Sequence, residues 1–170
     1  AVSGMYRLIV ADPIRKPSNK SDEACVMVIG IDPEEPFKDN WWLLDMKLGR
    51  PQETTFIQWI WDLANKWRVR AVGVEAVSVQ VKLVERIKED FQERAEAEGY
   101  CPRVIPIKYL KDFGGVKDEV SKPKRIMRLI WRFEQSKLKF PAPMWGGEKP
   151  FSSLLHQIQN FTENLALLDH

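Results

Sequence analysis

Apolar and polar positions change their period along this chain, and the changes mark its elements. Met5 to Ala11 is a largely apolar, β-rich run that ends at Asp12-Pro13, where proline breaks a strand. A polar loop follows over Arg15 to Ser21, with Pro17, Ser18 and Asn19. Ala24 to Ile31 reads as a second strand through Val26, Val28 and Ile29. Asp32-Pro33-Glu34-Glu35-Pro36 is a turn, and Trp41 to Leu48 a third strand. Strands joined by such short connections predict an antiparallel meander.

Beyond Pro51 the period becomes helical. Phe56, Ile57, Ile60, Trp61, Leu63 and Ala64 recur at three-and-four spacing through Trp67, with Pro51 suited to a first helical turn. Val69 to Glu75 is a short buried strand carrying Val69, Ala71, Val72 and Val74. A long helix is expected from Val79 to Glu98, with Val81, Leu83, Val84, Ile87 and Phe91 on one side and Gly99 as its C-terminal cap. Arg103 to Ile107 is another strand. Tyr109 to Val120 contains Gly114-Gly115 and reads as a mobile loop. Lys122 to Gln135 reads as a helix with Ile126, Leu129, Ile130 and Phe133 inward. Leu138 to Phe140 is brief and extended, and Phe151 to Phe161 is a last helical stretch.

A meander followed by strand-helix-strand crossovers predicts an α/β fold. Its sheet would be mixed, three antiparallel strands plus parallel ones, with helices on both faces. That order is the RNase H-like one, though other α/β folds share it on pattern alone. The 170 residues suit a single domain, 1–170, and a 44% hydrophobic share with seven Trp and eight Phe provides for a sizeable core. No apolar run approaches the ~20 residues of a membrane span, and no leader opens the chain, so a soluble, non-exported protein is expected.

Two acids stand out by position. Asp12 ends the first strand and Glu75 the fourth, and both strands are expected to be central. Open α/β sheets place ligands at the carboxyl ends of their strands. A carboxylate ending an apolar strand is costly unless something cationic meets it. Hard cations such as Mg²⁺ or Mn²⁺ prefer oxygen ligands, and two ions about 4 Å apart can activate water and steady the leaving oxygen of a phosphodiester. The competing reading is bland: Asp before Pro is a common turn, and Glu at a strand end is often merely solvated. Asp45 and Asp62 are read as surface acids.

Other chemistry is thin. Cys25 and Cys101 are far apart, lack metal-site spacing, and are read as core fillers rather than a disulfide. The two histidines, His156 and His170, make a His-rich zinc site improbable. Trp41, Trp42, Trp59, Trp61 and Trp67 are read as packing residues rather than base-stacking platforms. Net charge is only +2, but Ser121 to Lys139 is strongly basic. Lys122, Lys124, Arg125, Arg128 and Arg132 lie on or near one predicted helix, where they offer either DNA phosphate contacts or a solvated basic face.

Four stretches together resemble a known family, the nuclease domain of the large terminase subunit of tailed bacteriophages. They are Val10-Ala11-Asp12-Pro13 with Asp22-Glu23-Ala24, then Ala71-Val72-Gly73-Val74-Glu75 with Gln80 and the long helix. The third joins Lys122-Pro123-Lys124-Arg125-Ile126 to Phe133 through Pro141, and the fourth joins Leu154-Leu155 through Phe161 to Leu168-Asp169-His170. The likeness covers nearly the whole chain. It implies an RNase H-like fold, two Mg²⁺ or Mn²⁺ ions, and endonucleolytic cleavage of concatemeric viral DNA during genome packaging. By the same resemblance Asp12 and Glu75 are the first and second metal-binding acids, and Asp22 an auxiliary one. The third acid is Asp169 or one beyond His170.

The resemblance also implies that the chain is the C-terminal part of a larger terminase. Its partners would be double-stranded DNA, the ATPase domain of the same polypeptide, the portal and the small terminase subunit, in the cytoplasm of an infected bacterial host. The ATPase half is not expected within the chain, because no Gly-rich loop ending in Gly-Lys-Ser or Gly-Lys-Thr occurs. Two alternatives stand beside this reading. One is another RNase H-like phosphodiesterase, such as a resolvase or an integrase core. The other is a non-catalytic DNA-binding or motor-docking module.

Overall fold

The computed structural model describes residues 4–14, 23–35, 37–76, 81–107, 132, 134–140, 151, 152, 154 and 156. Six strands and two helices are defined among them: β1 (Tyr6–Asp12), β2 (Ala24–Ile31), β3 (Trp41–Gly49), α1 (Glu53–Trp67), β4 (Ala71–Glu75), α2 (Val81–Glu98), β5 (Arg103–Ile107) and β6 (Leu138–Lys139). They build one sheet in the order β5-β4-β1-β2-β3-β6. The β1–β2–β3 meander is antiparallel, whereas β4 pairs parallel to β1 and β5 parallel to β4. This is the mixed α/β sheet expected, in the RNase H-like order.

The strands form where side chains can alternate between two faces. In β2 the pattern is strict: Ala24, Val26, Val28 and Gly30 are buried, and the residues between them are half-buried. Ile9 and Ala11 of β1, Val26 and Val28 of β2, and Val72 and Val74 of β4 all point to one face. There α1 contributes Phe56, Ile57, Ile60, Leu63 and Ala64, and α2 contributes Leu83, Val84, Ile87 and Phe91. Trp61 meets Phe91 edge-on with ring centroids 5.0 Å apart, locking α1 to α2. On the opposite face Leu43 and Met46 pack against Phe151, with Cys25, Met27, Leu138, Phe140 and Leu154 around them. Phe151, Ser152, Leu154 and His156 are helical, so helical residues cover both faces.

Several expectations need correction. Pro51 stands one residue before the N-cap Gln52, whose extended backbone (φ −68°, ψ 161°) starts the helix at Glu53, so proline precedes the first turn. Val69 belongs to the exit from α1: Arg68 is left-handed (φ 47°), and the Val69 N–H donates to the Ala64 carbonyl (3.2 Å). Cys101 is exposed rather than a core filler, because the adjoining Pro102 fills the buried position in that loop. Cys25 is half-buried, and both thiols are free. The short extended segment after Lys137 is a ladder strand: β6 pairs parallel with β3 through Trp41↔Leu138 and Trp42↔Lys139. The Tyr109 to Val120 loop and nearly all of the Lys122 to Gln135 helix lie outside the described residues. No helix among the described residues is long and apolar enough to cross a membrane.

Candidate active site

Asp12 and Glu75 come to the same place for a topological reason. The β1–β4 register runs Leu8↔Ala71, Ile9↔Val72, Val10↔Gly73 and Ala11↔Val74. One step further stand Asp12 and Glu75, each the last residue of its strand. Register neighbours in a parallel pair point to the same face, and Ala11 and Val74 point into the α1–α2 core. Asp12 and Glu75 therefore share the opposite face.

The row continues on both sides. Asp12 is opposite Cys25 of β2, which is opposite Leu48 of β3, and Glu75 is opposite Ile107 of β5. Two carboxylates thus stand side by side at the rim, flanked by Ile107 on one side and a thiol on the other. Glu75 is only 8% exposed, one of two buried polar or charged residues among those described, whereas Asp12 is exposed. Such an arrangement seats one carboxylate deeply and leaves the other at the solvent-facing surface. Burying an acid beside a second acid is unfavourable without cationic compensation.

Cys25 does not add charge to the row. Burial, with Asp12 and Glu23 beside it, pushes its thiol up to about 11. At neutral pH it is a protonated, uncharged neighbour. The next row inward is apolar and partly open, with Val10 37% and Ile105 40% exposed and Gly73 between them. Gly73 has a steric role, since a Cβ there would stand 2.6 Å from Ile107 Cδ1. Its lack of a side chain lets Ile107 lie over β4 next to Glu75.

The remaining expected site residues fall elsewhere. Asp22, Asp169, Lys122, Lys124, Arg125 and Arg128 lie outside the described residues. Among the described residues, no group of three or more His, Cys, Asp or Glu converges as a metal site. Asp45 is on the helix-covered face, where its carboxylate accepts from Lys66 Nζ (2.6 Å) and Trp67 Nε1 (2.9 Å) and braces β3 on α1. Asp62 pairs with Lys47 at 3.4 Å. Asp62 is a surface tie, as expected, whereas Asp45 is half-buried between β3 and α1. Arg132 lies over the Trp41 ring (4.1 Å) and donates to the Asp39 carbonyl (3.3 Å), tethering that helical residue to the β2–β3 turn. Sequence reasoning missed Cys25 as a neighbour of Asp12. The signal was available: in a tight meander, the start of the second strand faces the end of the first.

No protein-family model matches the chain, and no curated protein matches it in sequence. Among solved structures it is similar to the resolvase in a crystal structure of Fowlpox virus resolvase with substrate Holliday junction DNA. That alignment has 14% identity and a TM-score of 0.40, and covers 76% of this chain and 74% of that one. A similarity at this level carries no argument about activity, so the site rests on its own geometry.

Proposed function

We propose that this chain is a divalent-metal-dependent endodeoxyribonuclease, and that it serves as the nuclease part of a large terminase subunit, cutting concatemeric viral DNA during packaging. The observation that carries the nuclease reading is the pairing of Asp12 and Glu75 on one face at the ends of adjacent central strands. The donor set fits a hard cation, with two carboxylate groups and no imidazole beside them among the described residues. Asp12 and Glu75 would hold Mg²⁺ or Mn²⁺, with Asp22 and Asp169 as further ligands. When bound, such ions activate water and stabilise the leaving oxygen of a phosphodiester. Buried Glu75 fixes the inner edge of the site, and exposed Asp12 faces the approaching backbone. Val10, Ile105 and Ile107 form a partly exposed apolar strip beside the two acids.

The terminase assignment rests on the four-stretch resemblance. On this reading the chain works joined to an ATPase domain, with the portal and small terminase subunit, in the cytoplasm of an infected bacterium. Lys122, Lys124, Arg125 and Arg128 would bind phosphates without reading sequence. The second reading is a junction resolvase, the activity named for the similar solved structure.

Cleavage assays separate these. The nuclease reading expects plasmid and linear duplex to be cut with little sequence preference, only with added Mg²⁺ or Mn²⁺, and expects Asp12→Asn to abolish cutting while the fold survives. Undiminished cleavage in excess chelator would overturn the mechanism. Strong preference for a four-way junction over linear duplex would replace the terminase reading with the resolvase one.

A further inference from the structure

The rim opposite the two carboxylates is basic. Arg7 is the second residue of β1, Arg68 caps α1, Arg70 precedes β4, and Arg103 begins β5. Backbone hydrogen bonds tie three of them in a line: the Arg70 N–H donates to the Arg7 carbonyl (2.9 Å) and the Arg103 N–H to the Arg70 carbonyl (3.1 Å). At a strand spacing of about 4.8 Å, Arg7 and Arg103 stand roughly 10 Å apart. Two tyrosines hold guanidinium groups in place. Arg68 stacks 4.8 Å from the Tyr100 ring centroid and Arg70 4.6 Å from that of Tyr6. Arg7 and Arg68 both act on the Tyr100 hydroxyl, drawing its pKa down against the upward effect of burial. Arg68, Arg70 and Arg103 are exposed and Arg7 is half-buried. No salt bridge among the described residues engages any of the four, although five other such pairs form.

A chain of net charge +2 has concentrated arginines at one end of its central strands, none of them in a salt bridge among the described residues. Stacking on tyrosine pre-orders the guanidinium fork, so less freedom is lost when it binds an anion.

We propose that this rim is a second nucleic-acid contact, a phosphate-backbone clamp that reaches round the sheet edge from both faces, with Arg7 and Arg68 on the helix-covered side and Arg70 and Arg103 on the side of the two acids. The choice of nucleic acid as the polyanion rests on the nuclease reading, whereas the patch itself does not. Arg7 to Asp12 spans about 17 Å of extended strand, so the clamp and the acids hold different stretches of DNA. The clamp contributes affinity and no base readout.

Its test is binding, read without cleavage. A fluorescein-labelled 20-base-pair duplex is titrated in EDTA at several NaCl concentrations against wild type and the Arg68→Gln/Arg70→Gln/Arg103→Gln variant. Each lost phosphate contact lowers the slope of log affinity against log salt by about 0.9, so the variant is expected to lose roughly 2 to 3 units. The matching triple Lys variant keeps most of the slope, because charge rather than stacking makes the contact. Should the triple Gln variant melt early, Arg103→Gln alone, which removes no ring stack among the described residues, is expected to lose about 0.9. An unchanged slope in a folded variant overturns the clamp. So does loss of binding to a labelled polyglutamate peptide with the DNA slope intact, which assigns the rim to an acidic protein. Failure of wild type to cut DNA in Mg²⁺, with the slope loss still present, sinks the nuclease reading and leaves the clamp standing.

Discussion

Tyr100 shows how one residue can join elements that are far apart in sequence. Its hydroxyl lies 2.6 Å from the Val69 carbonyl oxygen and 3.0 Å from that of Ala64, pinning the α2–β5 loop to the exit of α1. Burial is the main cause of a pKa pushed up from 10.0 to about 12. Removing the hydroxyl as Tyr100→Phe is expected to cost about 1 kcal/mol, the net value of one hydrogen bond, read from a urea midpoint at pH 7. The sign of the pH effect follows from the raised folded-state value. The contribution is fully present below pH 10 and is lost as pH rises through about 12. The wild-type midpoint should therefore fall across that window, with Tyr100→Phe showing a shallower fall. Equal slopes would remove Tyr100 from the alkaline transition. None of this was legible in the sequence, because Tyr100 lies 31 and 36 residues from its partners. Asp12 and Glu75 were legible because each is a charged residue closing an apolar strand, a position that burial makes expensive. Cys101 was misread because cysteine's usual preference for burial gave way to the neighbouring proline.

Elements were legible where local chemistry decided them. The alternation of Ala24–Ile31 and the spacing of Arg103–Ile107 gave both strands with their observed bounds. At the C-terminus of α2, Gly99 takes φ +60° and its N–H donates to the Ala95 carbonyl at 2.9 Å. A Cβ at Gly99 would meet nothing within 4 Å, so any cost of Gly99→Ala comes from the backbone alone. That cost is expected to be about 1 kcal/mol, a melting temperature lower by roughly 2 to 4 °C for a domain of this size. An unchanged melting temperature would mean that the helix end unwinds to a right-handed conformation without penalty. Elements set by partners were harder to see. Arg68 is left-handed although it is not glycine, held over Tyr100, so the strand after it begins at Ala71 rather than Val69. The two residues of β6 fall within the Leu138 to Phe140 segment that reads as brief and extended, but its partner strand was not legible. They become a strand by docking on β3, where the Trp41 N–H donates to the Lys137 carbonyl at 2.8 Å.

At the scale of the molecule, the sheet separates two tasks. One face is closed by α1 and α2 over a continuous apolar core, and the other carries the two acids beside an open apolar strip. The meander and crossover order was legible because connection lengths restrict topology so strongly. Asp169, expected from the resemblance as a further acid, lies outside the described residues. This division sets a test of the metal site that needs no substrate. A cation that binds only the folded state stabilises it by about 2.7 kcal/mol at one hundred times its dissociation constant. For a domain of this length, 1 kcal/mol shifts melting by roughly 2 to 4 °C, so saturating Mn²⁺ or Mg²⁺ should raise it by about 5 to 10 °C. Asp12→Asn and Glu75→Gln each remove one negative charge from a crowded pair while keeping its shape. In EDTA each variant sets its own metal-free reference temperature, against which the effect of the ion is read. In Mn²⁺ the rise should largely vanish in both, since the site has lost a charged oxygen ligand. A rise that persists in both variants would place the bound ion elsewhere and separate the acid row from metal binding. Variants that melt well below wild type in EDTA would show the carboxylates acting as structural partners, with the burial of Glu75 compensated from within the chain.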